Sequence, residues 1–174
     1  QWVYKKIPKI MFTYWHGPMS YLNYLSLKSF IDLNPDWTVQ LYYPLYPETL
    51  KPSWKSGEQS LMYSGEDFYD KLKELNIQFI PIDFRTIGFS NNYNEVIKSD
   101  FLRLYVLSKQ GGLWSDVDIL YIKPMNSLML NEHLVSGTLN NIDTVISCHH
   151  ISFFYSIGFL LSSPNNIFFD CLLK

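Results

Sequence analysis

Residues 94–120, NEVIKSDFLRLYVLSKQGGLWSDVDIL, constrain the fold of this chain more than any other stretch. Asn94 is a good helix cap, and the segment after it runs at helical spacing as far as two adjacent glycines. Gly111-Gly112 stop that helix and turn the chain back, since glycine tolerates the left-handed backbone that ends helices. LWSDVDIL then reads as a short strand. A helix returned by glycines into an apolar strand belongs to a layered α/β protein.

The rest of the chain repeats the alternation. IPKIMFTYW (7–15) reads as a buried first strand that ends at His16-Gly17-Pro18. Residues 20–34 carry Leu22, Leu25, Leu27, Phe30 and Leu33 near helical spacing, with Ser20 as N-cap. TVQLYY (38–43) follows an Asn-Pro-Asp turn as a second strand. EDFYDKLKEL (66–75) reads as an amphipathic helix and IQFIPIDF (77–84) as a strand. TVISCHH (144–150) and SIGFLLSS (156–163) are further strand segments, and NNIFFDCLLK a final helix. The expected architecture is α/β, with a mixed, largely parallel sheet flanked by helices. Residues 44–65 fit neither pattern, holding three prolines, two glycines and Trp54, so this stretch is expected to be a lid, a small insertion or a binding loop.

A length of 174 residues suits one domain, and 47% hydrophobic against 17% charged residues excludes a disordered chain. The net charge of −2, with no run of Lys or Arg, speaks against nucleic acid as partner. Aromatics at 17% supply either core or stacking platforms for ligand rings. Cys148 and Cys171 have no metal-type spacing and read as reduced core thiols of an intracellular protein. No apolar run approaches the ~18 residues of a membrane span, and no signal peptide is visible. The chain starts at Gln1 and ends in FFDCLLK, mid-helix in pattern, so the natural chain is expected to continue past Lys174.

Two aspartates stand in LWSDVDIL where the surroundings are apolar. On a strand, Asp116 and Asp118 would point to one face, about 6.6 Å apart at ~3.3 Å per residue. Like charges that close repel unless a cation lies between them, and hard divalent ions prefer carboxylate oxygen. Such a pair suits an ion bridged to a diphosphate; the plainer alternative is a solvated strand end. Haloacid-dehalogenase-type phosphatases also use D-x-D, but at the end of their first strand and followed by Thr or Val, unlike the Ile-Leu here. Upstream, Asp100 and Arg103 share a helix face at i, i+3 with Val96 and Leu107. They are either an ordinary intrahelical ion pair or a fixed carboxylate and guanidinium beside the same cleft, the Asp accepting from sugar hydroxyls and the Arg near phosphate.

IPKIMFTYWHGP, NPDW and KSDFLRLYVLSKQGGLWSDVDILYIKP occur in an order and spacing that resemble the DXD-containing sugar-binding glycosyltransferases, family 32. The chain is similar, more distantly, to the glycosyltransferase domain of the glucosylating clostridial toxins. The match covers about residues 7–125. The resemblance implies a GT-A fold in a single domain, a nucleotide-diphosphate sugar donor with UDP favoured, a glycan or glycoconjugate acceptor, and Mn²⁺ or Mg²⁺. By position, Asp116 and Asp118 match the metal and diphosphate motif. Asp100 and Arg103 match the residues that contact the donor sugar; with Asp118 they form the catalytic set. Trp15 matches the tryptophan that stacks on the base in the toxin relatives, and Tyr14 beside it joins the donor-binding set; core packing is the alternative for Trp15. Retention of anomeric configuration is implied.

Some features depart from the family pattern. Trp114-Ser115 replaces the usual residues before D-x-D, so the sugar pocket is expected to differ there. The later residue that completes the metal shell in relatives is not evident; His149 and His150 are the nearest candidates. The Golgi anchor of many eukaryotic members is not visible, which favours a cytoplasmic, bacterial or viral type; such an anchor would have to precede Gln1. The competing function is a degenerate domain that binds a nucleotide sugar or glycan without turnover.

Overall fold

The computed structural model describes residues 7–47, 54–55, 60–61, 63–126, 144–148 and 155–174. Its centre is a six-stranded sheet. The strands are β1 (Ile10–Tyr14), β2 (Thr38–Pro44), β5 (Ile77–Ile82), β6 (Gly112–Ser115), β7 (Thr144–Cys148) and β8 (Tyr155–Ser162), in the order β5-β2-β1-β6-β8-β7. β5, β2, β1 and β6 are mutually parallel; β8 runs antiparallel to both β6 and β7. The mixed, largely parallel sheet expected from the alternation is therefore present. Two further strands of two residues each, β3 (Trp54–Lys55) and β4 (Ser60–Leu61), pair antiparallel inside the 44–65 stretch. The rest of what would make that stretch a lid lies outside the described residues.

Successive residues of the central strands feed opposite faces, as a pleated strand requires. Met11, Val39, Leu41, Leu113 and Leu161 join one core with α1 (Tyr21–Leu33), where Leu27 and Phe30 are buried. Phe12, Trp114 and Leu160 join a second core with Leu102, Val106 and Leu107 of α2 (Glu95–Lys109) and Phe169 of α3 (Ile167–Leu172). Helices thus cover both faces. Ser20, Asn94 and Asn166 cap the three helices through their side chains. Gly111 and Gly112 have φ of 71° and 103°, and a Cβ on either would strike backbone: Ser162 O at 2.6 Å and Ile10 O at 2.5 Å. They carry the chain from α2 into the middle of the sheet.

Two local expectations change. The helix read over 66–75 is only a 3-10 helix at Tyr69–Glu74, preceded by Asp67, which accepts from Tyr69 N and Met19 N. Cys171 is an exposed free thiol rather than a core one. Among the described residues no helix is long and apolar enough to cross a membrane.

Candidate active site

Asp116 is the first residue beyond β6. Its N–H donates to Gly158 O at 2.8 Å and so extends the ladder to β8 by one bond. The chain then turns. Val117 O accepts from Asn23 Nδ2 at 2.9 Å, Tyr121 OH donates to Ser115 Oγ at 2.7 Å, and Ser115 Oγ donates to Asp116 O at 3.0 Å. The expectation that both aspartates lie on a strand is corrected here: the strand stops at Ser115, and the turn, not a two-residue alternation, orients them. Asp118 stands exposed on that turn. The turn sits at the carboxyl ends of the parallel strands, where ligands bind in open α/β sheets.

The Asp116 carboxylate is held from one side. Its Oδ1 accepts from Trp114 Nε1 at 2.8 Å and lies 3.7 Å from Arg103 Nη1. Arg103 is only 5% exposed. Its Nη2 donates to Asp100 Oδ1 at 2.7 Å and its Nη1 to Ile157 O at 2.7 Å, while the guanidinium lies 4.7 Å from the centre of the Trp114 ring. Arg103 Nε is buried without an acceptor among the described residues. Asp100 and Arg103 are therefore the expected helix ion pair, but the same arginine also reaches Asp116. Four of the predicted residues come together: Asp100, Arg103, Asp116 and, by its charge, Asp118.

Charge is not balanced there. Burial raises the Asp116 carboxyl above the ordinary carboxylate range; Arg103 and the Trp114 indole pull it down, and repulsion from Asp118 and Asp100 pushes it up again. Burial likewise raises Asp100, against the pull of Arg103. Carboxylates that are costly to ionise beside one another are relieved by a cation. Asp116 and Asp118 fit Mn²⁺ or Mg²⁺ in donor chemistry: two hard carboxylates, with water and substrate phosphate left to complete the shell. Among the described residues no group of three or more His, Cys, Asp or Glu could hold a metal by itself. His149 and His150 lie outside the described residues.

The first-strand residues are placed differently. Trp15 packs, partly buried, against the α1-side core, and its indole N–H donates to Gly17 O at 2.9 Å. Tyr14 is 2% exposed, and its hydroxyl donates to Glu95 Oε2. Burial raises the Tyr14 phenol, and Glu95 reinforces the shift. Glu95 in turn accepts from Lys98 Nζ at 2.9 Å, and Lys98, fully buried, reaches Tyr46 O at 3.2 Å. Tyr14 thus anchors a buried charged cluster beneath α2. Trp114 and Ser115 are each 1% exposed, so they brace Asp116 and the turn rather than line an open sugar pocket. Sequence patterns missed the Trp114 brace, the β8 carbonyls and the Glu95–Lys98 pair. Only the last left a signal, opposite charges at i, i+3 in an otherwise apolar stretch.

The family model described as glycosyltransferase sugar-binding region containing DXD motif matches residues 22–135. The initiation-specific alpha-1,6-mannosyltransferase of Saccharomyces cerevisiae is 28% identical over 82 residues, which is 47% of this chain and 16% of that protein. In three dimensions the chain is similar to the PaToxG glycosyltransferase, with a TM-score of 0.63 at 18% identity, over 99% of this chain and 61% of the other. The chain thus spans less than two thirds of each relative's length, and its fold is of the GT-A type. By its sequence match, the chain belongs to the family of glycosyltransferases whose sugar-binding region contains the DXD motif.

Proposed function

We propose that this domain transfers a sugar from a nucleotide-diphosphate sugar, a UDP-sugar first among them, to a hydroxyl of a glycan or glycoconjugate. It does so with Mn²⁺ or Mg²⁺ and with retention of configuration. The observation that carries this reading is the joining of Asp100 and Asp116 through one buried arginine, beside the exposed Asp118.

Asp116 and Asp118 would hold the ion, which when bound supplies Lewis-acid neutralisation of the leaving diphosphate. Asp100, whose carboxylate remains 45% exposed, accepts from donor-sugar hydroxyls. Arg103 fixes Asp100. Trp15 supplies a flat apolar face for the base. The sugar–phosphate bond breaks with its electron pair going to the diphosphate; the acceptor oxygen bonds the anomeric carbon and gives up its proton to a diphosphate oxygen. Positioning and electrostatics are then the chain's main contributions.

The test is a panel of nucleotide sugars incubated with and without manganese. Transfer or slow hydrolysis of one donor, lost with chelator and in Asp118→Asn, is the expected result. Tight binding of a donor with no turnover toward any acceptor would move the domain to the class of binding modules.

A further inference from the structure

β8 contributes more to the site than pairing. Two consecutive carbonyls on it are committed: Ile157 O to Arg103 Nη1 at 2.7 Å and Gly158 O to Asp116 N at 2.8 Å. Gly158 is buried. A Cβ added to it would stand 2.8 Å from Asp116 Oδ2 and 3.3 Å from Asp116 Cγ, with Ser156 Oγ next at 3.5 Å. Side-chain carbons do not approach so closely, so something would have to move. Gly158 is not among the glycines with positive φ, so alanine meets no backbone strain there. Gly111 and Gly112 differ on both counts, having positive φ and backbone within reach of a Cβ. Those two serve the fold. At 158 the atoms in the way belong to the end of a carboxylate side chain.

From this geometry we propose that Gly158 is a positioning residue of the donor site: its lack of a side chain leaves the space in which the Asp116 carboxylate lies against the Trp114 indole. The inference rests on the reading of Asp116 as a cation-holding residue and deepens it, by placing one determinant of that carboxylate's orientation on a different strand. A methyl at 158 pushes Oδ2 away and swings Oδ1 off the indole N–H. The fold is spared because a side-chain terminus yields, not backbone.

Gly158→Ala tests this with two readouts. The first needs no metal. The five tryptophans give five indole N–H signals in a ¹H–¹⁵N spectrum, and Trp114→Phe identifies that of residue 114. In Gly158→Ala the Trp114 signal is expected to move toward the position of a weakly bonded indole while the other four stay. The second is calorimetric binding of Mn²⁺ with UDP or GDP, expected to weaken about ten- to a hundredfold, as when other residues that orient a metal ligand are removed. An unmoved Trp114 signal, or wild-type affinity in Gly158→Ala, overturns the role of Gly158 and leaves the proposed function standing. Wild-type protein that binds neither nucleotide with Mn²⁺ overturns both. If Gly158→Ala proves unstable, Asp116→Ala added to it should restore the melting temperature; failure to do so places the clash elsewhere and overturns the proposal.

Discussion

The Trp114 indole N–H is the one side-chain donor bonded to the Asp116 carboxylate among the described residues, and two predictions belong to that scale. Trp114→Phe keeps a ring near Arg103 but leaves Oδ1 without its donor. A hydrogen bond to a charged group is worth about 2 kcal/mol, so urea denaturation should show a loss of that order, with nucleotide binding weakened as well. Asp116 itself should be a stability cost in the metal-free protein. Burial raises its carboxyl in the folded state, so the folded chain holds that proton more tightly than the unfolded chain does. Its penalty is fully present at neutral pH and is relieved as pH falls through the raised folded value. Metal-free Asp116→Asn should therefore melt no lower than wild type at pH 7, and the gap between them should close on acidification. A clearly lower melting temperature for Asp116→Asn at pH 7, in chelator, would contradict this.

At the scale of the element, α2 is the organising piece, since it carries Asp100 and Arg103 on one side and the buried Glu95–Lys98 pair on another. Removing one member of a buried pair leaves an uncompensated charge. Lys98→Met should cost about 3–5 kcal/mol, and Glu95→Gln combined with it should recover much of that loss. Chemical denaturation of the two variants decides. Gly111→Ala tests how the helix is returned to the sheet: left-handed backbone costs about 1–2 kcal/mol in a residue with a Cβ, and the clash with Ser162 O adds to it. What was legible in the sequence at this scale was the chemistry of element ends. Ser20 and Asn94 cap as their residue types suggest, and Gly111-Gly112 turn as paired glycines should. The end of β6 was not legible. SDVDIL alternates like a strand, but Asn23 and Tyr121, distant or downstream, draw Val117 and Ser115 into a turn. Local periodicity carries no record of such non-local donors.

At the scale of the molecule, alternation of strand and helix was enough to predict a layered α/β protein. The strand order was not predictable, because β1 lies between β2 and β6, and β8 separates β6 from β7. That order makes the site: it sets β8 beside the acidic turn, where Ile157 and Gly158 meet Arg103 and Asp116. The four residues Asp100, Arg103, Asp116 and Asp118 were legible from spacing and from family resemblance. Their support was not, because it is supplied by backbone and by a tryptophan that pattern alone places in the core. The central claim is that these four residues form a metal-assisted diphosphate site. Calorimetric titration of UDP and GDP into the whole protein, with and without Mn²⁺, tests it most directly. The account predicts binding that requires the ion and disappears in Asp116→Asn and in Asp118→Asn while both variants remain folded. Binding that is indifferent to Mn²⁺ and to both substitutions, or no binding of either nucleotide, would contradict it.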